Sequence, residues 1–190
     1  MVHSCRAGNL SLMALVILLA LVSCGDTTSD EKPLESDEDH FAQGHEFAQA
    51  GDFGKAVVEF ETVLVEDPEN VSAMSNLGVV YYNLGRLDDA IAQYQEAIEL
   101  APEDADIHSN LAAAHVQKGE LDKALEEYQT AVDLNPALAE AYYGLGVVHR
   151  QKDMTEEAIR AFERFQELDA GKDPRATELA KEFLQQLKGE

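Results

Sequence analysis

The chain has 190 residues, with 14 Lys and Arg against 37 Asp and Glu and a formal net charge of −23. That excess excludes nucleic acid as a partner, because phosphate binding needs clustered basic side chains. It also excludes attachment to an anionic membrane by charge, and the length admits one domain.

The first element is an apolar run from Leu10 to Val22, preceded by Arg6. It is short of the roughly 20 apolar residues that span a bilayer and suits a signal peptide over residues 1–23. Leu21-Val22-Ser23-Cys24 resembles the bacterial lipobox, in which a small residue precedes an invariant cysteine. The resemblance implies that Cys24 carries lipid and begins the mature chain. The alternatives are an uncleaved anchor or an ordinary secretory signal. Cys5 leaves with a cleaved signal, so Cys24 is the sole mature cysteine and no intrachain disulfide forms. Gly25 stands where aspartate commonly retains enteric-type lipoproteins at the inner membrane, which favours the outer membrane of a two-membrane envelope, facing the periplasm. Residues 24–36 then read as an acidic flexible tether broken by Pro33, with a reach of about 20 Å.

From Asp37 onward the sequence repeats. Pro68, Pro102 and Pro136 stand 34 residues apart, and the same shift aligns Gly44, Gly78, Ala112 and Gly146. It also aligns Phe47, Tyr81, His115 and His149, then Ala56, Ala90, Ala124 and Ala158, then Phe60, Tyr94, Tyr128 and Phe162. Within residues 71–104, Met74, Leu77, Gly78 and Tyr81 share one helical face, and Ala90, Ile91, Tyr94, Ala97 and Ile98 share another. Gly85 breaks the first helix and Pro102 the second. Each period is a pair of antiparallel helices unable to bury its apolar face alone.

The pattern Leu77, Gly78, Tyr81, Ala90, Tyr94, Ala97 and Pro102 resembles the tetratricopeptide repeat, and Leu111, Ala112, His115, Ala124, Tyr128, Ala131 and Pro136 repeat it. The first unit keeps Gly44, Phe47, Ala56, Phe60 and Pro68. The fourth keeps Leu145, Gly146, Ala158 and Phe162 but has Asp153 for the turn glycine, Phe165 for an alanine and Ala170 for the proline. The resemblance implies an all-α, right-handed helical-repeat solenoid with repeats at 37–70, 71–104, 105–138 and 139–172. Residues 173–190 add a capping helix begun by Asp173-Pro174, in which the same register puts Leu179, Ala180 and Phe183 in the columns of Leu145, Gly146 and His149. Phe165 is expected to fill space against it.

Asp52-Phe53-Gly54 mimics a kinase magnesium motif but falls at an inter-helix turn with no catalytic loop to accompany it. His115 and His149 share one column, and His40 and His108 share another; both face the packing seam. Equivalent positions in neighbouring repeats lie roughly 10 Å apart, too far to converge on a metal, so these histidines read as packing residues. No nucleophile setting or phosphate loop is present. The expectation is a protein with no enzyme activity, no cofactor, no metal and no small-molecule substrate.

The first helix of each repeat leaves one face open. It carries Ser72, Ser75, Val79, Tyr82 and Asn83, then Asp106, Ser109, Ala113, Val116 and Gln117, then Glu140, Tyr143, Val147, Arg150 and Gln151. In the family this face lines a concave groove that holds extended or helical peptides. Tyr82 and Tyr143 are the candidate anchors, expected to carry binding without stability, while Val79, Val116 and Val147 also suit lateral packing. The family's clamp for acidic chaperone tails needs several basic residues, and only Arg150 is present. The reading is therefore a membrane-tethered adaptor that binds a protein segment in its groove. Resemblance puts it in the company of lipoproteins that assist pilus secretins or organise peptidoglycan enzymes. The alternative is a self-assembling structural lipoprotein whose groove or end face binds another copy.

Overall fold

A computed structural model describes residues 36–189. The signal segment, Cys24 and the tether before residue 36 lie outside the described residues. Nine helices form the described part: α1 (Asp37–Gln49), α2 (Phe53–Glu66), α3 (Val71–Asn83), α4 (Leu87–Leu100), α5 (Ala105–Lys118), α6 (Leu121–Leu134), α7 (Ala139–Gln151), α8 (Thr155–Asp169) and α9 (Pro174–Lys188). The fold is an all-α helical-repeat solenoid, and the apolar columns of the sequence form its seam.

Side chains cap the starts of α1, α3 and α5. Ser36 and Asp39 form a reciprocal capping box at α1, Asn70 accepts from the Ala73 amide at 3.0 Å, and Asp104 accepts from the Asp106 and Ile107 amides. Each satisfies backbone donors that the first turn leaves unpaired. Gly51, Gly85 and Gly119 close the first helix of a pair with φ of +78°, +72° and +81°. Asp153 replaces glycine in that column and still takes φ +57°.

The aromatic column sets how closely helices approach. A Cβ added to Gly78 would stand 2.6 Å from Tyr94, and one added to Gly146 would stand 2.6 Å from Phe162. The third repeat has Ala112 in this column and accommodates it on the opposite side: a Cβ on Gly144, in the next repeat, would stand 2.1 Å from the Tyr128 ring. Tyr128 is thus seated against α7, where the equivalent of Gly144 one repeat earlier is Asn110.

Polar ties join neighbouring repeats at a 30-residue spacing. Lys118 donates to Asp88 at 2.6 Å, and Lys152 pairs with Asp122 in the same way. The outward face of α1 is polar. Asp39 and Glu46 are exposed in columns that later hold Ala73, Ile107 and Ala141, and Val80, Ala114 and Val148, all buried against the preceding repeat.

The last helix departs in part from the expected register. Of the three residues that the 34-residue spacing puts in packing columns, Ala180 is buried and Phe183 packed, but Leu179, in the column of the buried Leu145, is only half-buried. Leu184 is buried beside Ala180, with Ala176, Phe183 and Leu187 packed around them against Phe162 and Phe165. The cause lies in the connection. No proline stops α8, which runs to Asp169 and turns through Ala170 at φ +49° and Gly171 at φ +82°. Pro174 consequently starts α9 35 residues after Ala139 starts α7. The Asp169 carboxylate, buried at the turn, accepts from the Thr177 hydroxyl at 2.6 Å and from the Gly171 and Asp173 amides. Phe165 fills space beside α9 as expected.

Candidate functional site: the open face of the first helices

The groove face is built by α3, α5 and α7. Val79, Tyr82 and Asn83 of α3, Tyr94 of α4, and Asn110 and Ala113 of α5 together line a recess of about 200 Å³. The structure thus brings four of the expected groove residues, Val79, Tyr82, Asn83 and Ala113, to one place. It adds two more: Tyr94, which the repeat pattern places in the seam, and Asn110. The signal for Asn110 was present in the period, because it shares a column with Asn76 and Gly144 directly over the aromatic column.

Ser72 lies elsewhere, in a second recess of about 300 Å³ with Asp37, Glu38, Phe41 and Asn70. Ser75 is half-buried and Ser109 buried. Val116 and Val147 are half-buried and pack against the seam, so lateral packing accounts for much of their surface. Asp106, Gln117, Glu140 and Gln151 are exposed. The Asn83 amide donates to the Val79 carbonyl at 2.8 Å, which fixes its orientation on the rim.

The two anchor tyrosines differ in surroundings. Tyr82 is half-buried at the recess with its ring against the seam. Tyr143 instead makes edge-on contacts with Phe162 at 5.8 Å and Phe165 at 5.2 Å. Its expected independence from stability is corrected: the ring belongs to the core that closes the fourth repeat. Arg150 is likewise engaged, its guanidinium lying 4.0 Å from the centre of the Phe183 ring. Its Nε atom is buried without a hydrogen-bond partner.

Electrostatics grade the groove along its helices. At the N-terminal edge, burial and then the charges of Asp104 and Glu140 hold the Asp106 carboxyl above the usual range for aspartate. Burial, with Tyr82 as the electrostatic neighbour of both, pushes the phenols of Tyr94 and Tyr128 far up, so they remain neutral donors. The opposite edge carries Lys118 and Lys152, neutralised by Asp88 and Asp122. The groove is therefore aromatic and amide-lined at its centre and acidic along one border.

The histidines lie in the seam and hold carboxylates. His40 meets Glu59 at 2.7 Å, His108 meets Glu127 at 2.7 Å, and His115 meets Glu120 at 2.8 Å. These pairings were missed because their spacings of 19 and 5 residues match neither helical neighbours nor the 34-residue period. His149 differs: its Nδ1 is buried without a partner, and burial holds its pKa below the ordinary histidine value.

A repeated helix pair with an open first-helix face defines an array for holding other proteins. The sequence profile described as TPR repeat matches residues 44–85, 80–119 and 113–153, and one described as Tetratricopeptide repeat matches 139–172. The chain belongs to the tetratricopeptide-repeat family. Among solved structures it resembles a crystal structure of the MamA protein, with 29% identity, a TM-score of 0.68 and coverage of 80% of this chain and 82% of that one. A MamA structure from Desulfovibrio magneticus RS-1 gives 28% identity and a TM-score of 0.66, over 73% of this chain and 78% of that one. A tetratricopeptide repeat protein from Parabacteroides merdae gives 26% and 0.66, over 80% of this chain and 60% of that one. No curated protein matches the chain.

Proposed function

We propose that this protein is a non-catalytic adaptor, tethered to a bacterial envelope membrane by lipid on Cys24, that holds a segment of a partner protein in the groove centred on Tyr82. The observation that carries the reading is the recess formed by Val79, Tyr82, Asn83, Tyr94, Asn110 and Ala113, which combines aromatic surface with amide groups. Aromatic rings supply contact area at low entropic cost, and amides and phenols supply directional bonds. The lipobox-like Leu21 to Cys24 and the acidic tether support placement at the periplasmic face of an outer membrane. By resemblance alone, the assembly served is a pilus secretin or a peptidoglycan enzyme. The polar outward face of α1, with Asp39 and Glu46, counts against copies stacking through that end.

Two measurements test the reading. Metabolic fatty-acid labelling should disappear in Cys24→Ala, and unchanged labelling sinks the lipid anchor. A partner captured from envelope extract should bind Tyr82→Ala about 1–2 kcal/mol more weakly than wild type, in the usual range of hot-spot truncation. Equal affinity would move the site off the groove.

A further inference from the structure

The second helices of the repeats carry a feature that the groove reading does not use. Between α2 and α4 lies an open recess of about 490 Å³ whose lining includes Val65, Met74 and Leu77, with Glu61, Gln93 and Glu96 among its polar groups. Val65 is 81% exposed at its edge, whereas its column continues as Glu99, Asp133 and Glu167. An exposed valine where every later repeat has an acid is a local departure from a solvated surface.

The equivalent positions one repeat later show what is missing. There His108 meets the Glu127 carboxylate at 2.7 Å and the Pro102 carbonyl at 3.1 Å, fastening the loop before α5 to α6. In the first junction those columns hold Met74 and Gln93. Methionine makes no such fastening. Gln93 donates through Nε2 to Glu96 at 3.2 Å, but its Oε1 is buried with no partner. A buried acceptor left unpaired is costly, so this junction is less well fastened than the next.

We propose that this recess is a second docking surface, independent of the groove, for an amphipathic cationic segment of a partner protein. Apolar side chains of the segment would cover Val65, Met74 and Leu77. A lysine or arginine beside them would lie near Glu61 and Glu96. Charge selects the occupant. Glu61 already accepts from the Tyr81 hydroxyl at 2.9 Å, and the nearby Arg86, stacked 4.2 Å from the Tyr81 ring, is neutralised by Asp89. The rim is thus left acidic, which repels a second copy of a chain with net charge −23. A protein with one segment in the groove and another against α2 and α4 bridges two partners.

The test uses the full chain and two fluorescein-labelled helical peptides, one with leucine on one face and lysine on the other, the second with glutamate for lysine. Fluorescence anisotropy should show saturable binding of the lysine peptide and none of the glutamate peptide. The double variant Met74→His/Gln93→Glu installs the fastening already accommodated in the third repeat and should weaken binding at least about tenfold, as should Val65→Lys on the exposed edge. Tyr82→Ala should bind the lysine peptide as wild type does. Absent binding, equal binding of both peptides, or equal binding by wild type, the double variant and Val65→Lys would overturn the proposal. So would a loss confined to Tyr82→Ala, or sedimentation showing that Val65→Lys abolishes a dimer, which would give the surface to a second copy.

Discussion

At Asp153 the backbone holds φ +57° in a column otherwise occupied by glycine. A side chain in the left-handed region costs roughly 1–2 kcal/mol, somewhat less for aspartate, while glycine adds freedom to the unfolded chain. Asp153→Gly should therefore raise stability by about 0.5–1 kcal/mol, read as a small increase in melting temperature. His149 gives a second test at this scale. Burial lowers its pKa, with Glu157 opposing, so its folded pKa lies below the unfolded value. Such a group contributes stability that is present above the unfolded pKa of about 6.5 and lost as pH falls through the folded one. Replacing it by the tyrosine that Tyr81 supplies in the same column should flatten the loss of stability on acidification below about pH 6.5. Melting curves of His149→Tyr and wild type across that range provide the check, and parallel pH profiles would contradict it.

Between elements, the aromatic column shows how much packing was legible in the sequence. The close approach at Gly44, Gly78 and Gly146 follows from small residues recurring opposite a ring, and the structure places each against Phe60, Tyr94 or Phe162. Gly144 was not legible, because its role comes from the preceding repeat, where Ala112 and Tyr128 need the space it leaves. Grafting that arrangement supplies a test. Gly78→Ala should cost about 1–3 kcal/mol by overpacking, and adding Asn110→Gly should recover part of it by opening the other side of the Tyr94 ring. Additive losses in the double variant would show that Tyr94 has no second seat. The α9 register was legible at Ala180 and Phe183 but not at Leu179 and Leu184, because the 34-residue count assumes a proline-stopped helix, and the longer α8 closed by Asp169 adds one residue before α9. Tyr143 was misread because periodicity says which face a residue occupies but not that Phe165, replacing a small residue, reaches across to meet it.

Across the whole molecule, each repeat rests on its neighbours. The first apolar cluster runs from Ala56 through Ala90 to Leu111 and Ala114, and the second includes Ala112 on the same helix, so Leu111 stands where the second and third repeats meet. It is 2% exposed, and its truncation to alanine should cost about 2–5 kcal/mol. In a stack whose stability is a sum of repeats and nearest-neighbour interfaces, the loss spreads outward along the chain. Amide hydrogen exchange in Leu111→Ala should therefore accelerate in α3 and α4 and in α7 and α8, not only in α5 and α6. Acceleration confined to the third repeat would mean that the repeats open independently. The distinction bears on function, because a groove assembled from α3 and α5 keeps its shape only if those helices open together. Partner binding across Tyr82 and Asn110 should in turn slow exchange in both repeats, since a ligand stabilises the helices whose joint fold creates its site.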